Sequence, residues 1–125
     1  MQPSNLLFAS TLIACTTGHA APGAPAPPAT TTDPDKYRVV LDNEHVRVLD
    51  YTDHPGDKTS LHHHPDFVLH ALGPFERKLI FPDGTSRVVS FHGGETVFMP
   101  AQTHAGENVG KTDTHVLIIE LKAPR

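Results

Sequence analysis

From Tyr37 onward the chain is a succession of short β-branched and aromatic runs cut by turn residues, and this rhythm limits the fold more than any other feature. Runs at Tyr37–Leu41, His45–Tyr51, Ser60–His64, Phe67–Leu72, Phe75–Phe81, Ser86–Phe91, Thr96–Met99 and His115–Leu121 read as strands. Between them fall Asp42-Asn43-Glu44, His54-Pro55-Gly56-Asp57, Gly73-Pro74 and His92-Gly93-Gly94-Glu95, with Pro82-Asp83-Gly84 as a hairpin signal. No window keeps the three-and-four spacing of an amphipathic helix, so no substantial helix is expected. Short strands at even spacing predict an all-β sandwich or barrel. A small barrel fills its interior with alternate side chains, so every polar group on the inner face needs a partner.

The residues before Tyr37 differ in kind. The first charged side chain is Asp33, and six of the twelve prolines fall within the first 34 residues. The chain of 125 residues therefore divides into a leader (1–20), a Pro/Ala/Thr-rich linker (21–36) and one folded domain (37–125). Leu6 to Cys15 is a moderately apolar decamer, too short to span a membrane but suited to the core of a secretory signal. Two processing sites are legible. Gly18-His19-Ala20 suits signal cleavage before Ala21, and Leu12-Ile13-Ala14-Cys15 resembles a bacterial lipobox that would place a lipid anchor on Cys15. Either predicts an exported protein, periplasmic or held at the membrane as a lipoprotein, although no Lys or Arg precedes Leu6. Cys15 is the only cysteine, so the domain has no internal disulfide. A net charge of −4 gives no basic surface of the kind that holds nucleic acid.

Ten histidines are many for such a chain, and nine follow Asp33. In His62-His63-His64 a strand would turn the first and third to one face and His63 to the other. Two imidazoles about 6–7 Å apart along a strand suit one chelated ion, while a surface triplet explains them equally well. Further on, Gly94 leads through Thr96–Met99 to Pro100, His104 and Asn108.

Together these residues resemble the cupin superfamily. Its first motif, G-x5-H-x-H-x3,4-E-x6-G, matches Gly56, His62 and His64; its second, G-x5-P-x-G-x2-H-x3-N, matches Gly94, Pro100, His104 and Asn108. The resemblance covers roughly residues 39 to 121. It implies a small β-barrel of the double-stranded β-helix or jelly-roll type, with His62, His64 and His104 as the ligands of one divalent metal. It further implies turns at Gly56 and Gly94 leading into the ligand strands, a structural role for Asn108, and homodimers formed by sheet edges. Two departures stand out. Val68 and Leu69 occupy the places where the motif has glutamate, and Pro100-Ala101-Gln102-Thr103-His104 is one residue shorter than the pattern.

Without the carboxylate, three neutral imidazoles favour Fe2+, Zn2+, Ni2+ or Cu2+ over Mg2+ and leave coordination positions open. His70 and Asp66 share strand parity with the pair and are candidate further ligands or proton carriers, with Gln102 a weaker one; a buried, hydrogen-bonded His70 is the plainer reading. Glu107 is a candidate acceptor for a ligand imidazole or a surface ion-pair partner. His45, His54, His92 and His115 are assigned no role, and strand parity does not choose an anion-binding group among Arg47, Arg77, Lys78 and Arg87. Neither Tyr37 nor Tyr51 lies near a motif in sequence. Three functions fit: a dioxygenase, isomerase or lyase acting on a small molecule; a non-catalytic module in which the metal stabilises the barrel or captures a small ligand; or periplasmic metal storage or sensing, with His63 and other surface histidines adding weak sites.

Overall fold

The computed structural model describes residues 25–124. One helical turn, α1 (Ala29–Thr32), precedes nine strands. They are β1 (Tyr37–Asp42), β2 (Val46–Asp53), β3 (Lys58–His64), β4 (Phe67–Ala71), β5 (Phe75–Ile80), β6 (Ser86–Phe91), β7 (Thr96–Met99), β8 (Gln102–Asn108) and β9 (Thr114–Leu121). All pairs are antiparallel, in the sheet orders β1-β2-β9-β4-β7 and β3-β8-β5-β6. That order is a jelly roll, two sheets facing each other across one core, as the strand rhythm predicts. The core follows the alternation. Leu49, Tyr51, Phe67, Ala71, Val116 and Ile118 are buried from the five-stranded sheet and Phe75 from the other.

Eight of the strands are those expected; the ninth, β8, is not legible as one. Its inward positions are His104, Gly106 and Asn108, which read as loop residues because nothing apolar alternates along them. They form a strand because β8 is hydrogen-bonded between β3 and β5, so both of its edges are paired. Gly56, Gly84 and Gly94 take positive φ of 88°, 84° and 88°, which only glycine adopts without strain. Gly56 does lead into β3, but Gly94 leads into β7, one strand before His104.

The segment expected to be a tether also differs, since from Pro27 it is packed on the barrel. Pro27 C=O accepts from His63 N–H at 2.9 Å, Pro28 bridges His63 in parallel, and Ala29 is buried in the core. A small residue is what fits there, because α1 lies against both β1 and β3, the edge strands of the two sheets. Asp33, also buried, accepts Ser60 N–H on both carboxylate oxygens at 3.1 Å. The leader, Cys15 and the site before Ala21 lie outside the described residues.

Candidate metal centre

Strand register brings the histidines together. His62 on β3 stands directly opposite His104 on β8, and His64 lies two residues further along β3. Between Thr59 and His62 the register shifts, a bulge that turns both residues inward although they are three apart. The bulge is tied to α1, because its free Ser60 N–H is the one bonded to Asp33. The three rings pack with centroids 4.7, 4.9 and 5.5 Å apart, and one ring nitrogen from each lies within 4.8 Å of the others. All three are buried; His62 is 0% and His64 1% exposed. His63 points outward, with its Nδ1 2.9 Å from Thr103 Oγ1.

What sits behind each ring fixes its tautomer. His62 Nδ1 donates to Ser60 C=O at 2.7 Å and His64 Nδ1 to Glu120 Oε1 at 2.7 Å, both partners being pure acceptors. His104 Nδ1 donates to Gln102 Oε1 at 2.9 Å, an orientation held by Gln102 Nε2 donating to Pro100 C=O. Every Nδ1 is thus spoken for, and every Nε2 carries its lone pair into the space between the rings. This is the outer-shell arrangement that orients metal-binding imidazoles. Burial, and then the neighbouring His64, depress the pKa of His62 from 6.5 to about 4. Burial, with His62 and His64 beside it, takes His104 to about 2. At neutral pH no proton competes for the Nε2 atoms of His62 and His104.

That neutrality has a stability consequence for the metal-free protein. Below pH 6.5 the unfolded chain protonates His62 and His104 while the folded one resists doing so, so at these two residues protons favour the unfolded state. Thermal melts of metal-free protein are therefore expected to fall steadily between pH 6.5 and 4. A flat profile across that window would contradict the burial of neutral imidazoles. His62→Gln, which cannot charge, is expected to flatten part of the slope.

Other expected participants are elsewhere. His70 is on the opposite sheet and turned outward, with Nδ1 2.7 Å from Thr96 Oγ1, so it is neither a ligand nor buried. Strand parity does not carry over from β3 to β4, because Pro65-Asp66 separates two strands that belong to different sheets. Asp66 accepts Ala101 N–H at 2.8 Å and braces the turn before β8. Glu107 points away from the site, opposite Lys58 and Lys78. Asn108 is structural, as expected: Nδ2 bonds Asp53 Oδ1 at 3.0 Å and Thr112 C=O at 2.9 Å, and Oδ1 accepts Gly110 N–H. Of the two residues at the missing glutamate's place, Leu69 lines the cavity shared with His64 and His104, and Val68 does not.

Two residues at the site carry no motif signal. Glu120 supports His64; its trace in the sequence is a carboxylate sharing inward parity with Val116 and Ile118 on β9. Tyr37, buried at the start of β1, brings its hydroxyl to 3.3 Å from His62 Nε2. Nothing in the sequence announces Tyr37, because the contact is made across the two sheets. Among the basic candidates, Arg77 is the one that points inward. It is neutralised by Asp53, with Nη1 to Oδ2 at 2.6 Å, and Nη2 donates to Thr59 Oγ1 at 3.0 Å.

No protein-family model matches the sequence, and no curated protein matches it. Solved structures do. A cupin domain from Bordetella pertussis Tohama I is 28% identical, with a TM-score of 0.65 over 81% of this chain and 100% of that one. An RmlC-like cupin family protein with a double-stranded β-helix fold, from Methanocaldococcus jannaschii, is 15% identical, with a TM-score of 0.56 over 69% of this chain and 78% of that one. A polyketide cyclase from Streptomyces resistomycificus is 19% identical, with a TM-score of 0.52 over 70% of this chain and 64% of that one. With its jelly-roll strand order and a match along the whole of a solved cupin domain, the chain is a small single-barrel protein of the cupin superfamily.

Proposed function

We propose that the protein is an exported cupin that binds one divalent transition metal through Nε2 of His62, His64 and His104 and uses it on a small molecule, as an oxygenase, isomerase or lyase. One observation carries the metal reading: each of the three Nδ1 atoms is hydrogen-bonded to an acceptor, so the three unprotonated Nε2 atoms converge. Three imidazoles without a carboxylate select Fe2+, Zn2+, Ni2+ or Cu2+ over Mg2+. When bound, the metal would act as a Lewis acid with open positions, or with iron as a centre for oxygen chemistry. The chain's own contribution is to hold the rings, to keep bulk water out of a buried pocket and to place the Tyr37 hydroxyl beside His62. Fold alone does not decide between this and a non-catalytic module. Tyr37 favours the enzyme, since it is a proton-bearing group at the centre itself. Export rests on the uncharged leader, and pairing of two copies on the exposed edge strand β1, where Val39, Val40 and Leu41 face solvent.

Metal analysis of protein purified without a His-tag tests the reading. Close to one transition-metal ion per chain is expected, with a melting temperature that falls on treatment with a chelator. Metal in fewer than about a tenth of chains, with no stabilisation by added Zn2+, Fe2+, Ni2+ or Cu2+, would overturn it. If iron is bound, oxygen uptake on a panel of diols and thiols separates the enzyme from the binder.

A further inference from the structure

Beside His64 and His104 lies a cavity of about 50 Å³. Its walls are hydrocarbon, drawn from both sheets, with Phe67, Leu69, Phe75, Val89, Phe91 and Met99 among them. The half-buried members, Leu69, Val89, Phe91, Met99 and Gln102, are on β4, β6, β7 and β8, so the cavity opens on that side. Away from that side, α1 packs against β1 and β3. The polar side chains that line it are already hydrogen-bonded within the barrel. Arg77 and Tyr51 are bonded to Asp53, and Thr114 accepts from Asn108. Gln102 is bonded to His104 and Pro100, and Tyr37 meets His62 Nε2.

Tyr37 has a bonding problem once the centre is loaded. Its one partner among the described hydrogen bonds is the Nε2 lone pair, which a metal would take. A buried hydroxyl left without an acceptor is unfavourable, so its proton turns to an atom on a neighbouring open position of the metal. Three neutral imidazoles leave that metal dicationic and favour an anionic atom there.

We infer that the centre takes a small anion with one metal-binding end and a short hydrocarbon body, that Tyr37 donates a hydrogen bond to the bound end, and that Leu69, Phe91 and Met99 cover the body. This rests on the metal-binding reading above. The enclosed space holds about two to five non-hydrogen atoms, on the scale in which one water needs ~10–15 Å³ and benzene fits in ~150 Å³. Sugars and phosphate esters are disfavoured, because most of the wall is hydrocarbon and Arg77, Tyr51 and Gln102 are already bonded to the protein, leaving hydroxyl and phosphoryl oxygens few partners.

Straight-chain carboxylates, titrated into Co2+-loaded protein and followed by the visible absorption of the ion, test the inference. From acetate through propionate to butyrate the Kd is expected to fall about threefold to fourfold per methylene, the gain for a buried CH2. It is expected to level off by hexanoate. Butyrate is expected to bind at least about tenfold more tightly than 3-hydroxypropionate, which has the same number of non-hydrogen atoms but ends in a hydroxyl. Tyr37→Phe is expected to weaken every carboxylate by about tenfold, the value of a hydrogen bond to a charged group, without changing the dependence on chain length. Leu69→Ala, which does not touch the hydroxyl, is expected to move the levelling-off to longer chains. A flat or inverted chain-length series overturns the apolar ligand class, as does 3-hydroxypropionate matching butyrate. Loss of Co2+ affinity by tenfold or more in a folded Tyr37→Phe protein overturns the hydrogen-bonding role, since the hydroxyl would then be a ligand. Failure of the natural chain to take up Co2+ at all would instead remove the metal reading, and this inference with it.

Discussion

A His62→Ala protein is expected to bind Zn2+ or Co2+ about 100-fold to 1000-fold more weakly than the natural chain. Structural zinc sites gain about 10–16 kcal/mol from four ligands, so one imidazole accounts for roughly 2.5–4 kcal/mol. The loss should not be recovered by rearrangement. His62 is fully buried, its Nδ1 is fixed on Ser60 C=O, and the nearest unused histidine on the strand, His63, points the other way. Glu120→Gln should cost less, about tenfold to 100-fold, because it leaves the ligands in place and removes only the charge behind His64. His63→Ala is the control and should change affinity little. Competition against a chelator of known affinity, followed by calorimetry, ranks the three. If His62→Ala fell no further than His63→Ala, the ion would not be bound where the rings converge.

The largest effect on stability is expected at Asp53. Its carboxylate is buried and takes side-chain donors that include Tyr51 OH at 2.5 Å, Arg77 Nη1 at 2.6 Å and Asn108 Nδ2 at 3.0 Å, with Thr114 beside them. Burial opposes its charge, but the hydrogen bonds from Tyr51 and Thr114 and the charge of Arg77 outweigh burial and hold the carboxyl below its usual range. Asp53→Ala would strand the Arg77 guanidinium inside the barrel, which costs about 3–5 kcal/mol when one partner of a buried pair is removed. For a domain this small that is a large share of the total stability. Urea unfolding checks it. The double variant Asp53→Ala/Arg77→Met should recover a substantial part of the loss, since no unpaired charge then remains. A single variant within about 1 kcal/mol of the natural chain would mean that the pair is hydrated and not buried.

This network also explains a glycine. Gly106, between His104 and Asn108 on β8, leaves room for the Arg77 guanidinium; a Cβ there would stand 2.3 Å from Nη2. The guanidinium is clamped by Asp53 and Thr59 and has nowhere to move, and Thr59 Oγ1 also accepts Gly106 N–H at 3.0 Å. The ion pair therefore fixes the strand that carries the third histidine.

The barrel and the trio were legible because both depend on local spacing. Period-two runs separated by turns define strands, and His62-x-His64 defines a face. The position of His104 came from its distance along the chain to Pro100 and Asn108, not from β8, whose inward residues are polar or glycine and give no strand signal. What spacing cannot encode is contact between layers. Tyr37, Glu120 and Asp33 are on β1, β9 and the segment before β1, yet they reach His62, His64 and the β3 bulge. His70 shows the same limit in reverse: correct counting along the chain gave the wrong face, because β3 and β4 belong to different sheets. Residues 27–33 depart from the expected tether for another reason. A proline-rich composition carries no core-forming signal, yet buried Ala29 and Asp33 and the Pro27–His63 backbone bond hold it to the barrel.

X-ray absorption at the metal edge of untagged protein loaded with one equivalent of Zn2+ tests the three-histidine centre most directly. Three imidazoles at about 2.0–2.1 Å are expected in the first shell, with the outer-shell scattering that identifies rings. A shell with fewer than two imidazoles, or one made of oxygen alone, would contradict the assignment of His62, His64 and His104.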